Sequence, residues 1–152
     1  MANQVDVTAS LDEALAASEV RAASEAIVVC DPDGKILLWN GGAEKVFGFT
    51  AAEALGANLD LIIPEKLRAR HWAGYDKTMA TGSTRYGDEL LKVPATHKDG
   101  RRMSIEFSVA LLRDSGDQVT GIAAVIRDST ERWNEERALR KRLSEAESRL
   151  SE

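Results

Sequence analysis

His71 is the side chain best placed to do chemistry. It lies in the run Pro64-Glu65-Lys66-Leu67-Arg68-Ala69-Arg70-His71-Trp72-Ala73-Gly74-Tyr75. Leu67, His71, Gly74 and Thr78 recur at helical spacing, which predicts that His71 shares the Leu67 face, while Glu65, Arg68 and Lys77 map mostly to other sides. Pro64 suits the first helical position, where its missing N–H would have had no partner. An imidazole turned toward an apolar interior must hydrogen-bond or ligate something, and spacing alone leaves both open. The other histidine, His97, stands beside a hairpin tip and is expected at the solvent. Cys30 is the single cysteine, so no intrachain disulfide can form. It reads as a small buried hydrophobe in a strand. Two histidines so far apart, with one cysteine, make no zinc constellation. No Gly-rich phosphate loop, metalloprotease helix or nucleophile elbow is present, and paired titratable groups are not evident, so the reading is not an enzyme.

The rest of the chain must position that histidine. Its 152 residues suit one domain with helical appendages, and 43% hydrophobic residues suffice for a packed core. A net charge of -5 argues against a nucleic-acid surface. Arg137, Arg140, Lys141 and Arg142 cluster, but Glu131, Glu135, Glu136 and Glu145 are interspersed, as on a solvated helix. The N-terminus lacks a basic segment followed by an apolar core, and no run is long enough to span a bilayer. With its lone cysteine, the chain is expected to be soluble, cytoplasmic and without a membrane partner.

Ser10 is placed to cap an amphipathic helix over Leu11 to Ser24. Ala26-Ile27-Val28-Val29-Cys30 and Lys35-Ile36-Leu37-Leu38-Trp39-Asn40 read as strands joined by a type I turn, Asp31-Pro32-Asp33-Gly34. Gly41-Gly42 ends the second strand. A short helix with Ala43, Val46 and Phe47 on one face stops at Gly48, and Thr50-Ala51-Ala52-Glu53 has capping-box spacing. The His71 helix stops near Thr81-Gly82. A strand from Arg85 to Thr96 bends near Pro94, and Lys98-Asp99-Gly100-Arg101 is expected as a type I′ hairpin. In the next strand Met103, Ile105, Phe107 and Val109 face the core, opposite Arg102, Ser104, Glu106 and Ser108. Val119 to Ile126 completes the sheet. From Ser129 the pattern is helical, with Leu139, Leu143, Ala146 and Leu150 on a heptad seam. Strands split by a block of helices predict an α+β domain: an antiparallel sheet with helices on one side.

In that order, the motifs resemble a PAS domain, the sensory module of bacterial kinases, cyclases and transcription regulators. The resemblance rests on Asp31-Pro32-Asp33-Gly34-Lys35-Ile36 with Trp39-Asn40, on Ala43-Glu44-Lys45-Val46-Phe47-Gly48-Phe49, on Lys98-Asp99-Gly100, and on Gly121-Ile122 through Arg127-Asp128-Ser129-Thr130-Glu131-Arg132. It covers about Ala22 to Trp133 and implies a five-stranded sheet. Asp128-Ser129-Thr130 is similar to the family's D-[IV]-T joint between sheet and output helix, with Ser129 where Ile or Val is usual. Ser129 or Thr130 would cap that helix, and Asp128 would hold the joint through charge-assisted bonds.

One subset of PAS domains binds haem b through a histidine on the helix after a conserved proline, and Leu67-Arg68-Ala69-Arg70-His71 is similar to that segment. The resemblance implies His71 as the iron ligand, Phe107 and Val109 on the opposite wall, and Lys77 or Arg85 near a propionate. The sequence departs from that subset in three places. Gly74 stands where those sensors have tyrosine, which comes one residue later at Tyr75. Leu91 occupies the position of one group's oxygen-binding arginine. Asp88 and Glu89 replace apolar or glycine positions. Oxygen sensing by an arginine switch is therefore not expected. The flavin-binding cysteine segment of light-sensing relatives has no counterpart after Asn58.

The expected organisation is an N-terminal cap over 1–24, a sensory domain over 25–128 and a signalling helix over 129–152. The expected function is to bind a small ligand or cofactor and relay its state to an output domain. A homodimer through the terminal helices is expected. The competing reading is a cofactor-free dimerisation module using those helices and the outer sheet face.

Overall fold

The computed structural model describes residues 14–16, 18–20, 23–84 and 89–151. Of the expected leader, 14–16 and 18–20 are helical; Ser10 and Leu11 lie outside the described residues. β1 (Ala26–Cys30) and β2 (Ile36–Trp39) precede two short helices, α1 (Gly41–Phe47) and α2 (Ala51–Ala54). Two 3₁₀ turns, Leu59–Leu61 and Glu65–Leu67, lead into α3 (Arg68–Thr81). Then come β3 (Leu91–Thr96), β4 (Arg102–Arg113), β5 (Val119–Asp128) and the long α4 (Thr130–Leu150). The five strands form one antiparallel sheet in the order β2-β1-β5-β4-β3. This is the expected α+β architecture.

The alternation in β1 buries Ala26, Val28 and Cys30, which join Ile36, Trp39, Phe47, Met103, Ile105 and Ile126 in a single core. Asn40 fixes the turn from β2 into α1. Its Oδ1 accepts the N–H groups of Ala43 and Ile27, and its Nδ2 donates to the carbonyls of Val20 and Glu25. All four capacities of a buried amide are satisfied, which is what makes its burial tolerable. The Gly41-Gly42 pair that ends β2 also forms the first turn of α1. A Cβ on Gly42 would stand 2.1 Å from the Glu25 carbonyl oxygen, so only glycine allows that approach. The capping box at Thr50 and Glu53 forms as its spacing predicts.

Several local expectations change. Pro64 lies outside the helix with ψ 136°, and a 3₁₀ turn intervenes before α3 begins at Arg68. The inward face of α3 is carried by His71, Trp72, Tyr75, Thr78 and Met79; Gly74 is exposed. The large aromatic rings set the rotation of the helix, because glycine has no side chain to bury. The Asp99-Gly100 hairpin is not type I′, since Asp99 does not have positive φ. Instead Gly100 donates to the His97 carbonyl and takes φ 90° itself, a type I turn closed by a left-handed glycine. β3 is observed over Leu91–Thr96, residues 85–88 of the expected strand lying outside the described residues, and Pro94 is accommodated because β3 is an edge strand.

Candidate functional site

α3 lies over the β1–β2 hairpin and is held there by its aromatic residues. The Trp72 ring covers the backbone of Gly34, where a Cβ would come within 2.1 Å of Cη2. Trp72 Nε1 donates to Asp60 Oδ1 at 2.7 Å, and the Tyr75 hydroxyl donates to the Asp31 carbonyl at 2.5 Å. His71 packs against both of these rings, which also meet each other at 5.1 Å between centroids. Its ring meets Trp72 edge-on at 4.7 Å between centroids and lies tilted 5.8 Å from Tyr75. Nδ1 of His71 is fully buried and has no hydrogen-bond partner among the described residues. Burial pushes the His71 pKa below its usual 6.5, opposed only in part by the charge of Asp60. The imidazole is therefore held neutral, the form able to ligate a metal. Burial also raises the pKa of Tyr75, which stays a phenol and a hydrogen-bond donor.

Of the residues expected around His71, the structure describes Phe107, Val109 and Lys77. Phe107 is partly buried and packs on the core, in register with Leu91 and Ile126. Val109 is partly buried but falls outside the core cluster. Lys77 is exposed on α3, and Arg85 lies outside the described residues. The neighbours that the fold does bring to His71 are Trp72, Tyr75 and Asp60, none of which the spacing argument placed there. The signal was available in the i,i+3 and i,i+4 relations among the three α3 aromatics.

His97 is a correction. Its side chain is only 15% exposed, because its ring rests on Gly48, which at φ 83° has no Cβ to exclude it. The hairpin is drawn down there by the Lys98 N–H to the Phe47 carbonyl and by the Lys98 ammonium to Glu53. Cys30 is buried as expected, and burial with the charge of Asp31 pushes its thiol up to about 12.

At the other end of the sheet, the joint is more tightly bound than a simple helix cap. Neither Ser129 nor Thr130 caps α4 through its side chain, contrary to expectation. Asp128 Oδ1 accepts the Thr130 N–H at 2.9 Å and the Thr130 hydroxyl at 2.6 Å. The same hydroxyl accepts the Ser104 N–H at 3.0 Å, while the Ser129 N–H donates to the Ser104 carbonyl at 2.9 Å. Thr130 is thus spent on tying β4 to the start of α4, and Asp128 supplies the cap. Beside the joint, on the outer sheet face, a groove of about 280 Å³ is lined by Glu25, Leu90, Glu106, Ser108, Val125 and Arg127. Glu106 is buried there, on the face opposite Ile105 and Phe107.

Comparison with known proteins agrees with this architecture. The profile of the PAS domain family matches residues 24–131, and the chain belongs to that family. It is similar to the sensor protein FixL of Bradyrhizobium diazoefficiens, with 27% identity over 80% of this chain and 24% of FixL. It is also similar to the oxygen sensor protein DosP of Escherichia coli K12, with 26% identity over 68% of this chain and 13% of DosP. Among solved structures, a PAS domain from Colwellia psychrerythraea superimposes with a TM-score of 0.69 at 22% identity, covering 79% of this chain and 98% of that one. The chain spans from 13% to 24% of the length of the curated relatives it matches. Among the described residues, no helix is long and apolar enough to cross a membrane.

Proposed function

We propose that this PAS domain takes haem b at His71 and relays its state through Asp128, Ser129 and Thr130 to α4, within a cytoplasmic homodimer joined to an output domain. The observation that carries the reading is the buried, unpartnered Nδ1 of a neutral imidazole. Leaving a polar atom buried without a partner costs about 1–3 kcal/mol; that atom is enclosed, so a ligand would take the ring's other nitrogen, Nε2. The donor chemistry fits haem: one neutral imidazole on a helix, among aromatic side chains. When bound, haem supplies an iron centre that takes a diatomic ligand or changes oxidation state. Trp72 and Tyr75 pack on the imidazole and help to enclose its Nδ1. Lys77, exposed on α3, and Arg85, outside the described residues, are the cations proposed for a propionate. The similarity to FixL and DosP, sensors by name, supports the sensory part of the reading.

Titration of the purified chain with haem, followed by absorption, tests it. A stoichiometric Soret band that His71→Ala abolishes or strongly shifts is the expected result. Uptake indifferent to His71→Ala, or no uptake, overturns the haem reading. The second reading, a cofactor-free dimerisation module, is favoured by a different observation. Tyr75 already spans from α3 to the turn after β1, its ring buried and its hydroxyl bonded to the Asp31 carbonyl. Under that reading His71→Ala lowers stability by about 1–3 kcal/mol without spectral change.

A further inference from the structure

Glu106 is a buried carboxylate that neither the core nor the joint hydrogen bonds account for. Its side chain is 8% exposed, whereas its two cationic partners, Lys92 and Arg132, are 60% and 59% exposed. Both approach the same oxygen: Lys92 Nζ lies 3.6 Å and Arg132 Nη2 3.4 Å from Glu106 Oε1. Lys92 belongs to the edge strand β3, Arg132 to the first turn of α4. A carboxylate so placed needs a cation, since losing both partners would leave an uncompensated buried charge.

We propose that Glu106 is the positioning residue that sets whether α4 is docked, by sharing one oxygen between a cation on the sheet and a cation on the helix. The proposal deepens the relay read under Proposed function. β4 supplies the mechanical link. Successive residues on a strand point to opposite faces, so Ile105 and Phe107 pack on the core while Glu106 stands on the outer face. A shift of β4 caused from the core therefore moves Glu106 and the Ser104 backbone together, and Ser104 holds Ser129 and Thr130. Arg132 has a fallback on its own helix, Glu136 at 3.9 Å, so its release from Glu106 does not strand its charge. In one arrangement Arg132 binds Glu106 and the first turn of α4 is docked. In the other, Lys92 alone neutralises Glu106, Arg132 keeps only its pair with Glu136, and the first turn is free.

The competition makes a prediction that a merely structural ion-pair cluster does not. Amide hydrogen exchange over residues 130–136 of the whole chain, without added haem, is the readout, with thermal melting as the measure of global stability. Arg132→Gln, at an exposed side chain, speeds exchange there by about tenfold, the effect of losing a charge-assisted contact. Glu106→Gln does the same. Lys92→Ala acts in the opposite direction, slowing exchange at least about twofold, because Glu106 is left to Arg132 alone. If Lys92→Ala speeds exchange as Arg132→Gln does, or if the variants change only the melting temperature, the proposal is overturned. Failure here with His71-dependent haem uptake intact removes the anchor alone. The expected exchange pattern without haem uptake removes the haem reading and keeps the anchor.

Discussion

Gly34→Ala tests how α3 is held over the hairpin, and Gly100→Ala is its internal control. Both glycines have left-handed φ, 85° and 90°. Each substitution therefore incurs the same backbone penalty, about 1–2 kcal/mol. Each also gains the same benefit from a less flexible unfolded chain. The two differ in surroundings. A Cβ on Gly100 meets nothing within 4 Å, whereas on Gly34 it falls 2.1 Å from Trp72 Cη2 and 2.3 Å from Cζ3. The indole must move, and its Nε1 then loses the Asp60 carboxylate. A hydrogen bond to a charged group contributes about 1.5–3 kcal/mol, taken at its lower end because Asp60 is 38% exposed. With the lost ring packing, Gly34→Ala is expected to cost about 2 kcal/mol more than Gly100→Ala. For a chain of this size that is a difference of about 4–8 °C in melting temperature. Urea unfolding followed by tryptophan fluorescence gives the free energies directly. Equal losses in the two variants would refute the placement of Trp72 on Gly34, and with it the packing around His71.

The remaining predictions concern pH and assembly. His71 has a folded pKa below 6.5, so the unfolded chain binds a proton that the folded chain refuses. Its contribution to stability is full above pH 6.5 and declines as pH falls through 6.5 toward the folded value. His71→Leu should flatten the difference in urea midpoint between about pH 7.5 and pH 5.5, and an unchanged pH slope would show that the imidazole is not desolvated. On α4, Leu139, Leu143 and Leu150 are 62%, 60% and 88% exposed, an apolar stripe that a partner helix would cover. Light scattering should show a dimer that Leu143→Glu weakens by about tenfold or more, and a wild-type monomer at high micromolar concentration would defeat the idea.

What the sequence determined by itself is local or periodic. Asp31-Pro32-Asp33-Gly34 dictates its turn because Asp31 Oδ1 collects the N–H groups of Asp33 and Lys35, and glycine alone takes φ 85° freely. Thr50 and Glu53 determine a capping box through groups three residues apart. The alternation through Met103, Ile105 and Phe107 assigns the inner face of β4, since a strand has only two faces. Tertiary structure decided matters that depend on residues distant in the chain. The rotation of α3 was set by Trp72 on Gly34 and Tyr75 on Asp31, contacts between elements whose helical spacing admits several neighbouring faces. His97 was partly buried by packing on Gly48, which no local rule near the hairpin could reveal. Thr130 is both the first residue of α4 and a partner of β4, and a hydroxyl with one proton goes where the strongest acceptor lies, here Asp128. Glu106 reads in sequence as one more solvent-facing residue of an alternating strand. It is buried because β3 and the start of α4 both close over it, and only their meeting makes a charge at that position consequential.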